Sequence, residues 1–259
     1  MMRILLLPLL LLPAFMLQAA SPEQRGLEIA TEVERRDTGW HDFRAIMSML
    51  LRNAQGEESL RHMHTQSLEV KDDGDKTLIV FDQPPDVKGT ALLSYSHKTG
   101  PDDQWLYLPA LKRVKRIASK NKSGPFMGSE FAYEDLTSQE VEKYSYRYLQ
   151  DDDLDQQACF LIERDPVDPD SGYSTQRVWI EQERYIPLKI EFYDRKQSLL
   201  KTLTFRDYRQ YLDRYWRANE MFMQNHQTGK STLLTWQEYQ FRSGLEDGDF
   251  NKNSLKRAR

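Results

Sequence analysis

Most of the chain alternates between apolar and polar positions with the period of two that is typical of β-strands. In the first such run, Phe43, Met47, Met49 and Leu51 fall on one side, and the other side is mixed. The same pattern recurs further along the chain, in residues 59–70, 76–82, 90–97, 104–108, 113–118, 143–150, 157–164, 174–182, 186–193, 199–211, 215–226 and 230–241. The alternation therefore predicts a mainly β protein with one strand in each run.

Turn-forming residues separate these runs, and no linker divides them. Examples are Asp72-Asp73-Gly74, Gly100-Pro101-Asp102 and Thr228-Gly229. Many strands joined by short turns, with few helices between them, favour one large antiparallel meander, either a barrel or a strongly curved sheet. We expect one domain, residues 21–259.

A helix is predicted before the first strand, over about residues 22–36. Ser21 is a suitable N-cap, Pro22 suits the first helical position, Gln24 completes a capping box, and Gly39 is a plausible end.

Residues 1–20 have the order of a secretory signal peptide. Arg3 is their only charge, an apolar run follows over residues 4–17, and Ala19 and Ala20 precede Ser21. The run is too short to cross a bilayer comfortably. We expect cleavage near Ala19 or Ala20 and export to a bacterial periplasm; a short buried helix or a retained anchor helix are the alternatives.

Composition and charge exclude several classes of function. The 36 Lys and Arg residues are outnumbered by 40 Asp and Glu residues, for a net charge of −4, so no global basic field is available to hold nucleic acid. The single cysteine, Cys159, lies in an apolar strand-like run and is interpreted as a buried hydrophobic residue.

Cations concentrate in one segment of this acidic chain. They are Lys112, Arg113, Lys115, Arg116, Lys120 and Lys122. Such a cluster could hold lipid phosphates, an anionic carboxylate or an acidic partner surface. Alternatively, it could be an edge strand whose lysines discourage aggregation.

The segment 119–141 interrupts the alternation of the strands. Gly124 and Gly128 surround Phe126 and Met127, and one helical turn is predicted at residues 133–137. A loop of this length in a compact domain is usually functional or disordered. It could be a mobile flap with exposed aromatic residues, or a loop that tucks them into the sheet.

No catalytic or metal-binding pattern stands in its proper context. Neither a G-x-S-x-G elbow nor an H-E-x-x-H motif occurs. His62 and His64 share one side of a predicted strand but lack a nearby third ligand, so they are interpreted as solvated histidines. The sequence predicts a protein that is not an enzyme and has no metal or cofactor; a lipid hydrolase is the alternative from the enzyme class.

Three blocks of sequence carry a family resemblance. They read FDQPPDVKGTALL at 81–93, QWLYLPALKRVKRI at 104–117 and FMGSEFAYEDL at 126–136. The chain resembles the outer-membrane lipoprotein-sorting protein family, which is related to the periplasmic carrier LolA. The resemblance implies an unclosed β half-barrel whose apolar concave side is covered by helices and a loop. It also implies a carrier of lipids or lipoproteins that often works beside RND-type exporters.

If the protein is a lipid carrier, the sequence also predicts which residues line its cavity. The deformable apolar wall would include flexible methionines such as Met63, Met221 and Met223, and residues 119–136 would be its lid. The predicted cavity and lid residues are Phe43, Met47, Met49, Leu93, Tyr95, Trp105, Tyr107, Phe126, Met127 and Phe131. Lys112, Arg113, Lys115 and Arg116 would contact a head group or a partner.

The expected partners are an acylated cargo, an inner-membrane exporter and an outer-membrane acceptor. The cargo would be carried between the two membranes. The alternative role is that of a sensor or adaptor subunit of a membrane complex with the same fold.

Overall fold

The computed structural model describes residues 20–256, which contain one helix of several turns and a single sheet of 13 strands. The signal peptide predicted over residues 1–20 lies outside the described part, apart from its last residue. The helices are α1 (Pro22–Asp37) and α2 (Lys252–Leu255). The strands are β1 (Asp42–Arg52), β2 (Glu58–Leu68), β3 (Lys76–Gln83), β4 (Ala91–Tyr95), β5 (Asp103–Leu108), β6 (Arg113–Ile117), β7 (Tyr144–Leu154), β8 (Gln157–Pro166), β9 (Tyr173–Glu181), β10 (Pro187–Asp194), β11 (Leu199–Tyr211), β12 (Tyr215–Asn225) and β13 (Ser231–Phe241).

The strand order shows how the chain forms one open sheet. Every pairing is antiparallel, and the order is β6-β5-β4-β3-β2-β1-β13-β12-β11-β10-β9-β8-β7. The first and last strands therefore pair at the centre, and β6 and β7 form the two edges. Each strand coincides with one of the alternating runs to within a few residues. The predicted mainly β fold is confirmed.

Helix α1 covers the edge strand β7. Its N-cap is Ser21, whose hydroxyl accepts a hydrogen bond from the Gln24 amide at 3.2 Å, as the capping pattern predicts. At Gly26 the helix lies so close to β7 that an added Cβ would stand 2.8 Å from the Tyr148 nitrogen. Only glycine fits at this crossing.

The two faces of the sheet bury different sets of residues. The inner face is the one that carries Met47, Met49 and Met63 and is covered by α1 and by residues 119–136, here called the cover loop. The outer face carries two smaller apolar clusters. One of them lies beneath the C-terminal segment, through Leu245 and Phe250. Cys159 is fully buried in the other, as the sequence predicts.

Within residues 20–256, no helix has the length and apolar character needed to cross a membrane.

Candidate functional site

The inner face brings together half of the residues predicted for the cavity and lid. Met47, Met49, Phe126 and Phe131 belong to its buried cluster, and Met127 packs against that cluster. These residues come from β1 and from the cover loop.

Methionines form much of the inner wall near the centre of the sheet. Met47 pairs with Met63 across β1 and β2 and with Trp236 across β1 and β13. Along the next row, Leu234 pairs with both Met49 and Met221. Because methionine is unbranched and polarisable, this wall can repack around apolar groups of different shape.

Four predicted cavity residues lie on the opposite face. Leu93 and Trp105 are buried in the outer cluster beneath the C-terminal segment, and Tyr95 and Tyr107 pack against it. The Tyr95 hydroxyl donates a hydrogen bond to the backbone oxygen of Phe250. The structure therefore does not bring these four residues to the inner wall. Both sides of β4 and β5 carry apolar residues, so their alternation does not tell the two faces apart.

Phe43 is also separate from the inner cluster. Its ring lies 5.2 Å from that of Trp40, 5.4 Å from that of Tyr239 and 5.5 Å from that of Phe241, measured between centroids. A bulge between Arg44 and Ile46 shifts the register of β1 against β13 beside this residue. Phe43 therefore belongs to an aromatic group at the beginning of β1, and the position predicted for it is corrected as well.

The cover loop is tucked onto the sheet. Phe126 is 0% exposed, and its ring lies 5.7 Å from that of Phe81 and 5.7 Å from that of Tyr133. The Phe126 amide donates to the Phe131 carbonyl at 2.7 Å, which closes the loop on itself. Of the two readings of this segment, the structure shows the one in which the aromatic residues fill the core. The predicted helical turn is a 3₁₀ turn, Tyr133–Leu136.

A buried ion pair fastens the cover loop to the sheet. The Lys201 ammonium lies 2.7 Å from the Asp135 carboxylate and donates to the Glu130 carbonyl at 2.9 Å. The two side chains are only 5% and 6% exposed. The Tyr173 hydroxyl donates to the other oxygen of Asp135 at 2.8 Å. Sequence reasoning missed this site, although a lysine on the apolar side of β11, in line with Leu203 and Phe205, was a signal for it.

Further hydrogen bonds attach the loop to the turn between β8 and β9. The Glu134 carboxylate accepts from the Ser171 hydroxyl at 2.8 Å and from the Gly172 amide at 2.9 Å. Burial and the neighbouring negative charge of Asp135 raise the pKa of Glu134. At Gly172 an added Cβ would stand 2.6 Å from the Ser123 Cβ, so glycine permits this close approach.

A cavity of about 240 Å³ opens beside the buried ion pair. Asp135 and Tyr173 line it, together with the turn between β4 and β5 and the turn between β8 and β9. Two of its cations are paired, Lys122 with Asp168 at 2.5 Å and Lys143 with Asp102 at 2.8 Å. The cavity is therefore a recess with many charged and polar residues in its lining, at the border of the apolar inner face.

The predicted head-group cations do not line this recess. Lys112, Arg113, Lys115 and Arg116 are exposed on the hairpin of β5 and edge strand β6. Arg116 forms an ion pair with Asp103.

Within residues 20–256, both groups of candidate metal ligands have partners in the protein. His62 contacts the Ser48 hydroxyl at 3.1 Å and His64 contacts the Asp82 carboxylate at 3.0 Å, so the two rings have separate partners. The acidic side chains of Glu34, Glu140 and Glu142 converge elsewhere. There the Lys98 ammonium lies 3.4 Å from Glu34 and 3.8 Å from Glu142, and it supplies positive charge to that cluster.

Comparison with known proteins places this geometry in a family. A family model described as an uncharacterized protein matches residues 73–257. A solved domain from Vibrio parahaemolyticus that is named after outer-membrane lipoprotein sorting is 61% identical to this chain, with a TM-score of 0.89, and the match covers 90% of this chain and 99% of that one. No curated protein matches the sequence.

Two further structures are similar over the same extent. A DUF1329 family protein from Desulfovibrio piger is 28% identical, with a TM-score of 0.86, over 91% of this chain and 100% of that one. A LolA superfamily protein from Nitrosomonas europaea shares the fold at 21% identity, with a TM-score of 0.70, over 91% of this chain and 100% of that one. The sheet is therefore the unclosed half-barrel expected from the resemblance. The chain belongs to the family of the outer-membrane lipoprotein-sorting protein domain.

Proposed function

We propose that the protein is a non-enzymatic periplasmic carrier that shields the acyl chains of lipids or lipoproteins on the inner face of its half-barrel. Family membership supports a role in lipid or lipoprotein binding. The observation that carries the proposal is the cover loop, which inserts Phe126 and Phe131 into the buried cluster that also contains the methionines of the inner wall. These two rings hold the place that an acyl chain would take when the loop moves away.

The energetics favour a loop of this kind. Each methylene group removed from water contributes roughly 0.8 kcal/mol, and the loop keeps the apolar wall out of water when no cargo is bound. The wall residues Met47, Met49 and Met63 are at most 3% exposed. Acyl chains can replace the loop because both occupants bury the same surface.

Loading from a membrane calls for a partner. A chain that leaves a bilayer exchanges one apolar environment for another, so the net hydrophobic gain is small. The proposal therefore includes an energised inner-membrane exporter of the RND type, an acceptor at the outer membrane, and removal of residues 1–20 on export. The exposed hairpin with Lys112, Arg113, Lys115 and Arg116 is the proposed contact for such a partner or for head groups.

Native mass spectrometry tests the carrier role directly. Protein purified from a periplasmic extract without detergent is expected to carry a stoichiometric acylated adduct, which lipid extraction then identifies. A matched sample is stripped of lipid and incubated with vesicles of phosphatidylethanolamine and phosphatidylglycerol, which should restore an adduct. A clean apo mass in both samples would instead favour the sensor or adaptor role.

A further inference from the structure

The inner face of the half-barrel contains a lysine whose charge, within the described residues, is neutralised by the cover loop. Lys201 is buried, and its ammonium lies 5.0 Å from the centre of the Tyr173 ring and 5.2 Å from that of Phe192. Among residues 20–256, the carboxylate that pairs with it is Asp135, and its second acceptor is the Glu130 carbonyl. Both acceptors belong to the cover loop, and Lys201 belongs to the sheet.

Opening of the cover loop would therefore leave the Lys201 ammonium without a counter-charge. If the loop moves away to admit acyl chains, Lys201 loses both acceptors and remains between two aromatic rings on an apolar wall. A buried ammonium without a counter-charge is strongly unfavourable. A neutral acyl chain restores the apolar contacts but leaves this charge without a partner.

We propose that the cargo is an anionic amphiphile, whose carboxylate or phosphate replaces Asp135 on Lys201 while its acyl chain replaces Phe126 and Phe131. This inference rests on the proposed carrier function and adds the chemical class of the head group. Binding is then an exchange of one anion for another at Lys201. The Tyr173 hydroxyl, which donates to Asp135 at 2.8 Å, is placed to donate to the incoming anion.

Two probes with the same acyl chain, one charged and one neutral, separate the contribution of the head-group charge to binding from that of the apolar chain. Purified, lipid-stripped protein is titrated with cis-parinaric acid and with its methyl ester, and binding is followed by their fluorescence. Because a hydrogen-bonded charge pair discriminates strongly against a neutral analogue, the acid is expected to bind at least about tenfold more tightly. Displacement of the bound acid by phosphatidylglycerol, compared with diacylglycerol, tells whether a phosphate serves as well as a carboxylate.

Variants then assign any preference to Lys201. The double variant Lys201→Met/Asp135→Asn removes both charges together, so neither remains buried alone, and it should bind acid and ester with similar affinity. Lys201→Arg keeps the cation and should keep the preference for the acid over the ester. This variant provides a second test if the double variant fails to fold. The control is Lys189→Met/Glu191→Gln, which removes a more exposed ion pair of 3.2 Å from β10, on the outer face beside Trp179. It should leave the preference unchanged.

The outcomes distinguish this inference from the carrier function itself. Equal affinity of the unmodified protein for acid and ester overturns anion exchange and leaves acyl binding intact. A preference that survives in Lys201→Met/Asp135→Asn overturns the assignment to Lys201. Failure of both probes and both lipids to bind rejects the carrier function together with the inference.

Discussion

Replacing Phe126 with alanine should loosen the cover loop without unfolding the sheet. The ring is 0% exposed and lies against Phe81 and Tyr133. Removal of a buried phenylalanine side chain costs about 3–5 kcal/mol where the surroundings cannot collapse. The polar contacts of Asp135 and Glu134 with the sheet remain, so the cost should fall on closure of the loop.

Hydrogen exchange measures this cost residue by residue. Each 1.4 kcal/mol corresponds to a factor of ten in an equilibrium constant, so a loss of about 3 kcal/mol should speed exchange at residues 126–136 by about 100-fold. Exchange in β11, β12 and β13 should change little. cis-Parinaric acid should also bind faster, because the loop opens at a lower cost.

Phe250→Ala is the matched control. Phe250 is 1% exposed and belongs to the outer cluster beneath the C-terminal segment. This variant should speed exchange at residues 245–255 and leave the cover loop and probe binding unchanged. The reasoning is refuted if Phe126→Ala leaves residues 126–136 as protected as before, or if protection falls equally across the whole sheet, because the loop would then not open as a separate unit.

Three further predictions concern stability. A Gly→Ala change in an exposed helix is stabilising by about 1 kcal/mol. Gly26→Ala should instead lower the melting temperature, because its Cβ would meet the β7 backbone at 2.8 Å. Gly248→Ala is the control and should be nearly neutral in the same thermal scan, because Gly248 has open space around it. Gly172→Ala should raise exchange in the cover loop, because its Cβ would stand 2.6 Å from that of Ser123, and unchanged exchange would contradict this. Burial and the charge of Glu140 raise the pKa of Asp75 from 3.8 to about 7, so the proton bound in the folded state stabilises the protein at low pH and this stability is lost as the pH rises. Denaturant titrations should show the free energy of unfolding falling by up to about 1.4 kcal/mol per pH unit between about pH 5 and 7, with a smaller slope in Asp75→Asn.

The predicted cavity residues show where the alternation along a strand indicates a common face and where it does not. Met47 and Met49 were placed on one face because β1 has a mixed opposite side, with Ser48 and Arg52 in it. In β4 and β5, neither side is polar enough to indicate which side of the strand faces solvent. Leu92 and Leu93 are both almost fully buried, on opposite faces of the sheet. A period of two indicates that adjacent residues of a strand lie on opposite faces of the sheet. Where neither face is solvated, the period does not indicate which residue lies on the inner face.

The sequence by itself determined the strands, the helix, the long loop and the family, because alternation, capping and turn residues act over a few neighbours and the family blocks are continuous. Only the tertiary structure decided the pairing of β1 with β13, the covering of the outer face by the C-terminal segment, and the meeting of Lys201 with Asp135. These features join residues far apart in the chain. Their partners are chosen by burial and charge neutralisation in the folded molecule, and no local pattern records that choice.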